Sequence, residues 1–236
     1  MIRKVLMAAG FCLVVGPLGM MAWHRYEAGQ VIASYEGDTA QAEEDLLDEA
    51  REYNQSLKSG LPAASYESTL GGREVMGILE IPRIGLKLPI YHGTGEAALS
   101  KGAGHMEGTA LPAGQPGDRP VIAGHRGLPG NELFTRLDEL ESGDLFTVTV
   151  AGHPLTYEVT EIETVAPDDQ QAIAARSGED LVTLLTCTPY GINTHRLLVT
   201  GKRTDKEGGS PDHTKPVVMT ITAAVGLLYL YRRKKK

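Results

Sequence analysis

Leu181–Val182–Thr183–Leu184–Leu185–Thr186–Cys187–Thr188–Pro189–Tyr190–Gly191–Ile192–Asn193–Thr194–His195–Arg196–Leu197 is the stretch on which the reading of this chain turns. The apolar, β-branched run 181–186 predicts a buried strand, Thr188–Gly191 a turn, and 196–202 the strand that returns. If the two strands pair antiparallel through the 188–195 loop, Cys187 and Arg196 come close. Alternation along the second strand places His195 and Arg196 on opposite faces, so only one of them faces the thiol. A second stretch has the same form: the run Pro120–Val121–Ile122–Ala123 passes through Gly124 to His125 and enters the loop Arg126–Gly127–Leu128–Pro129. A lone thiol, a histidine and an arginine thus each sit where a strand meets a loop. Those are the parts for acyl transfer through a cysteine: a nucleophile, a proton donor and a cation for the developing oxyanion. An arginine beside a thiol favours thiolate and can donate to a carbonyl oxygen. Each residue also has a plainer reading: an inert buried thiol, an arginine paired with a surface carboxylate, and a structural histidine, one of seven in the chain.

Outward from these two stretches, short strands dominate. They are expected at 75–81, 88–91, 120–123, 145–150, 155–160, 181–186 and 196–202, with a hairpin turning at Ala151–Gly152–His153–Pro154. Strands at this spacing imply a barrel or a sandwich. Amphipathic spacing predicts a helix over 38–57, with Leu46, Leu47, Ala50 and Tyr53 on its apolar side. Short helices are expected at 131–140 and 167–176, and a loop or linker at 55–72.

Residues 5–23 are apolar and uncharged, about 19 residues preceded by Arg3 and Lys4. That length spans a bilayer, with the basic flank on the cytoplasmic side. The rival reading is a cleaved signal peptide, although no clear Ala-x-Ala site follows. A second apolar run, 216–231, ends in Arg232–Arg233–Lys234–Lys235–Lys236. It is short for a span; it either crosses the membrane or lies in its surface. If both runs cross, both termini are cytoplasmic and 24–215 lies outside. All 30 acidic residues fall within 24–215 against sixteen of the 23 basic ones, a net charge of −14 there. So acidic a domain is a poor nucleic-acid binder. Of the two cysteines, Cys12 sits in the first apolar run and Cys187 deep in the external part, so they cannot pair. No Cys-x-x-Cys, His-x-x-x-His, phosphate loop or Gly-x-Ser-x-Gly elbow occurs, and no metal or cofactor is expected.

The segment from Thr183 to Leu197 resembles the active-site segment of the sortases, specifically the class C, pilin-polymerising group. Ala123–Gly124–His125–Arg126–Gly127–Leu128–Pro129 is similar to that group's histidine loop, and 76–84 and 88–94 to its first barrel strands. The resemblance covers about 75–203. It implies an eight-stranded β-barrel with short helices, preceded by an N-terminal helix and flanked by membrane spans. The implied organisation is an anchor at 1–23, a helical stalk and linker at 24–74, the catalytic barrel at 75–203, a linker at 204–215 and a second span at 216–236. The implied activity is that of a cysteine transpeptidase of Gram-positive bacteria, held in the cell membrane with its catalytic domain outside. In it Cys187 attacks the Thr–Gly bond of an LPXTG-like sorting signal, His125 protonates the leaving amine, and Arg196 holds the substrate and its oxyanion. Thr186 is a further candidate substrate contact. The acceptor would be a pilin lysine, with cell-wall peptide as the acceptor if the enzyme is instead a housekeeping sortase.

One feature departs from the class C pattern. Many of these enzymes carry an Asp-Pro-aromatic lid, whereas here the only proline between 24 and 75 is Pro62, with neither an Asp before it nor an aromatic after it. A more open groove is expected, and residues 55–72 packed over Cys187 would contradict it. Two other readings share parts of this chain: a cysteine protease with water as acceptor, and a surface protein itself anchored through its basic tail, although no Leu-Pro-x-Thr-Gly precedes that tail.

Overall fold

A computed structural model describes residues 2–39, 43–60 and 65–206, with the helical backbone alone over 2–14. Among the described residues there are eight strands: β1 (Val75–Ile81), β2 (Leu86–His92), β3 (Ala103–His105), β4 (Val121–Ala123), β5 (Leu145–Val150), β6 (His153–Val165), β7 (Leu181–Thr188) and β8 (His195–Arg203). They close a barrel in the order β1-β2-β3-β4-β7-β8-β6-β5. Closure, not a sandwich, is thus how this chain removes its sheet edges. Alternation decides what fills it. Val182, Leu184, Ile122, Leu197 and Val199 point into a core shared with Phe134, Phe146 and Tyr157. The β5–β6 hairpin turns on Ala151 and Gly152, both at positive φ (49° and 77°), as a two-residue turn that follows strand twist requires.

The strand missing from the sequence expectation is β3. Its three residues include Gly104, where a Cβ would lie 2.3 Å from the carbonyl oxygen of Gly93. Only glycine lets the chain after β2 pack that closely, and a glycine-bearing three-residue strand carries no hydropathy signature. The two short helices expected at 131–140 and 167–176 are not α-helices. Each reduces to one 3-10 turn, Leu137–Glu139 and Gln171–Ile173. Leu133 sits at φ 36°, which breaks a helix over 131–140. The apolar residues there are buried all the same: Leu133, Phe134 and Leu137 plug the barrel. Over 167–176 the carbonyl of Ala174 goes to the Arg119 guanidinium at 2.9 Å instead of to a helical N–H.

Helix α1 (Ile2–Asp38) runs unbroken through the expected anchor and into the expected stalk, with Pro17 inside it. Asp38 therefore ends α1 and does not start the next helix. That helix, α2 (Glu44–Ser59), begins six residues later than expected, buries Leu47, Ala50 and Tyr53, and stops at Gly60 in the left-handed region. Among the described residues no helix is long and apolar enough to cross a membrane. The side chains of 5–14 and the whole of the second expected span, 216–236, lie outside the described residues.

Candidate active site

Strand register places Cys187 and Arg196 at one level on neighbouring strands, and His125 follows two residues after the end of the adjoining β4. In the β7–β8 pair Cys187 stands opposite Arg196, and Thr188 opposite His195. Directly opposed residues share a face, so the thiol and the guanidine-bearing side chain are neighbours and His195 is on the other side. β4 lies parallel to β7 with Ala123 beside Leu185. Two bonds prolong that register: the Gly124 N–H donates to the Leu185 carbonyl at 3.0 Å, and the Thr186 hydroxyl donates to the Gly124 carbonyl at 2.7 Å. His125 is thereby brought level with Cys187. Since Leu184 and Leu197 point inward, Cys187 and Arg196 lie on the outer wall of the barrel, and all three side chains are partly exposed. Further along the same wall the 166–180 connection covers Thr183 and Thr200 through Arg119, which donates to both hydroxyls at 2.9 and 3.1 Å.

The loop that presents His125 is held from below. The His125 carbonyl accepts from the Phe134 N–H at 3.0 Å. A Cβ on Gly124 would come within 2.7 Å of the Phe134 ring, so that ring packs directly under the peptide bearing the histidine. The imidazole Nε2 lies 3.3 Å from Glu96 Oε2, on α3 (Glu96–Leu99). Arg196 folds over its own loop and donates to the carbonyls of His195 (3.1 Å) and Asn193 (3.3 Å), not to a carboxylate. Among the described residues no carboxylate pairs with it, so its charge is left free on the strand position opposite the thiol, where it could serve a developing oxyanion.

Arg126 is a residue that sequence reasoning passed over. Its side chain is 8 % exposed; Nη1 donates to Thr188 Oγ1 at 3.0 Å and Nη2 lies 2.5 Å from Asp138 Oδ2. It ties the residue after His125 to the residue after Cys187. The one available sequence signal was its adjacency to His125. Thr186, expected as a substrate contact, is fully buried with its hydroxyl committed to Gly124. It offers no surface to a ligand and instead braces the histidine loop. That inward position follows from the same alternation that turns Cys187 outward.

The other described histidines serve elsewhere. His105 is fully buried, with Nδ1 at 2.9 Å from the Tyr66 hydroxyl and Nε2 at 2.8 Å from the Ala110 carbonyl; burial lowers its pKa to about 4 and keeps it neutral. His153 meets Glu44 at 3.4 Å, and His195 is exposed beside Thr194. His213 lies outside the described residues. The described parts of 55–72 are not over the thiol. Asn54 and Lys58 on α2 bind Asp118, which precedes β4, whereas His125 follows it; Tyr66 binds His105 at the end of β3. Residues 61–64, including Pro62, lie outside the described residues. Among the described residues no group of His, Cys, Asp and Glu is arranged to hold a metal.

The chain is similar to several known proteins. A sortase-domain profile matches residues 79–204. Sortase D of Bacillus subtilis is 32% identical over 193 residues, covering 75% of this chain and 93% of that protein. The crystal structure of sortase C1 from Streptococcus agalactiae superposes with a TM-score of 0.70 at 39% identity, covering 75% of this chain and all of that one. A Clostridium perfringens sortase C structure, described as containing the C-terminal cell wall sorting motif, has the same TM-score at 40% identity and covers 76% of this chain and 100% of that one.

Proposed function

The chain belongs to the sortase family of cysteine transpeptidases, and from that premise we propose that it is a class C enzyme that joins pilin subunits. The supporting observation is the register that sets Cys187 opposite Arg196 with His125 level beside them. The kinship with class C structures at 39–40% identity supports the subclass. In this reading the Cys187 thiolate attacks the threonine carbonyl carbon of an LPXTG-like signal, and the oxyanion that forms accepts hydrogen bonds from Arg196. As the Thr–Gly bond breaks, His125 in its protonated form gives its proton to the glycine nitrogen, leaving a thioester on Cys187. A pilin lysine then surrenders a proton to His125, attacks the thioester and expels the thiolate, so that an isopeptide bond remains. Phe134, Thr186 and Arg126 would hold the histidine loop at working distance through both steps.

The same reading assigns residues 75–203 to catalysis, 24–74 to a stalk and 204–215 to a linker. Residues 1–23 and 216–236 would be membrane spans with both termini in the cytoplasm, supported by the basic flanks and by the confinement of every acidic residue to 24–215. A second reading, attachment of surface proteins to cell-wall peptide, needs the same Cys187, His125 and Arg196 and differs only in the acceptor amine. The two separate in one experiment. The full chain in detergent is given an LPXTG-bearing pilin together with a wall-peptide amine, and the products are resolved by mass. A ladder of lysine-linked pilins supports polymerisation, single wall-peptide adducts support anchoring, and hydrolysis alone would make the protein a protease.

A further inference from the structure

We propose that the rim of the active-site groove seats on the bilayer surface, so that the chemistry takes place in the lipid headgroup layer. This rests on the reading of residues 5–23 as a membrane anchor. The first observation is the order in which α1 meets the barrel. Met20 packs on the histidine loop: a Cβ on Gly130 would lie 2.5 Å from its sulfur. One turn further Arg25 pairs with Glu132. Further still Ile32 packs on Ile78, and the Tyr35 hydroxyl donates to the Met76 carbonyl (3.1 Å) and accepts from the Ala151 N–H (2.9 Å). Met20 to Tyr35 is about 22 Å of helix at ~1.5 Å per residue. The barrel therefore hangs alongside α1 with the histidine loop nearest the apolar end and the β5–β6 turn furthest from it.

The second observation is where apolar side chains remain uncovered. Nine large hydrophobic residues are exposed among those described, and five of them (Val15, Leu18, Met20, Trp23 and Tyr26) lie on α1. Two more, Tyr190 at 59% and Ile192 at 67%, are on the rim, where the Tyr190 ring packs against Gly127 of the histidine loop. Trp23 and Tyr26, with ring centroids 6.2 Å apart, are the kind of residues that sit at a membrane–water boundary. Met20 lies about 4.5 Å, three residues at ~1.5 Å each, on the lipid side of Trp23. The loop it touches, with exposed Pro129 beside Gly130, is thereby held at headgroup depth.

The partner is a lipid surface recognised by apolar and interfacial contact. Residues 24–215 carry a net −14, so charge does not draw this face to anionic lipid. Neutral phosphatidylcholine should suffice, and salt should matter little. A groove so placed favours a donor peptide whose scissile bond lies next to a membrane-inserted segment over the same peptide free in water.

The test uses the full chain with Cys12→Ser and Cys187→Ala, reconstituted in phosphatidylcholine vesicles. A nitroxide is attached at one of four cysteines: Val15→Cys on the anchor, Pro129→Cys or Ile192→Cys on the rim, and Asp205→Cys beyond the far end of β8. Collision with oxygen, which partitions into lipid, is compared with collision with a water-soluble nickel chelate. The expected result is an oxygen-favoured ratio at 15, a ratio shifted the same way at 129 and 192, and a nickel-favoured ratio at 205, unchanged by salt. If 129 and 192 match 205 while 15 remains in lipid, the barrel stands clear of the bilayer; the proposal is then wrong and the anchor stands. If 15 also matches 205, the anchor reading fails and takes the proposal with it. The two rim sites report independently, so a variant that does not fold still leaves one to decide the matter.

Discussion

Arg126 donates to Thr188 at 3.0 Å across 62 residues of sequence and reaches Asp138 with its other terminal nitrogen, so one planar group fixes the spacing between the loop of His125 and the strand of Cys187. Arg126→Lys keeps the charge but cannot span both partners. We expect kcat for an LPXTG peptide to fall on the order of 10²-fold with KM little changed, because a small misplacement of a catalytic group costs about that much. Thr188→Val should reproduce part of the loss. A rise in KM at constant kcat would mean that Arg126 binds substrate instead. At this scale the sequence was informative where a period of two governs. Cys187 and Arg196 face each other, and His195 turns away, as alternation requires. Arg126 and the Glu96 carboxylate beside His125 were illegible because their partners are set by tertiary packing, which no local pattern encodes.

Among the elements, those with apolar periodicity were readable and those defined by close approach were not. β1 and β5 fall at 75–81 and 145–150 as expected, whereas the three-residue β3 and the 3-10 turns at 137–139 and 171–173 have no signature of their own. The histidine loop is the functional case. It depends on the absence of a side chain at Gly124, where the Phe134 ring leaves no room for a Cβ. Gly124→Ala should cost about 1–3 kcal/mol, as overpacking does, and should lower kcat by tilting His125. Gly95→Ala, with nothing within 4 Å of the added carbon, should leave both unchanged. Thermal melts and single-turnover rates on the two variants make the comparison; equal losses would remove Phe134 from the account.

The whole molecule carries two buried groups that pull its stability in opposite directions with pH. Burial raises the Asp180 carboxyl to about 6, with its Tyr157 hydrogen bond and Arg203 working against that shift. The folded protein therefore holds this proton more tightly than the unfolded chain, and its contribution is lost as pH rises from about 4 through 6. Burial lowers His105 to about 4, so its contribution is present above its ordinary pKa of 6.5 and is lost as pH falls from there toward 4. Between about 4 and 6 the two offset each other. Asp180→Asn removes one of them, so its melting temperature should exceed that of the wild type at pH 8 and fall more steeply than the wild type's between pH 6.5 and 4. Parallel melting curves for the two proteins across that range would contradict this.

The central claim is that Cys187 forms the acyl-enzyme, and intact mass tests it most directly. The full chain and its Cys187→Ala variant, in detergent, are incubated with an LPXTG peptide and weighed before and after hydroxylamine. The account predicts an adduct of the peptide cleaved after threonine on the wild type alone, released by hydroxylamine as a thioester must be. Peptide cleavage by Cys187→Ala at the wild-type rate, or an adduct on that variant, would contradict it.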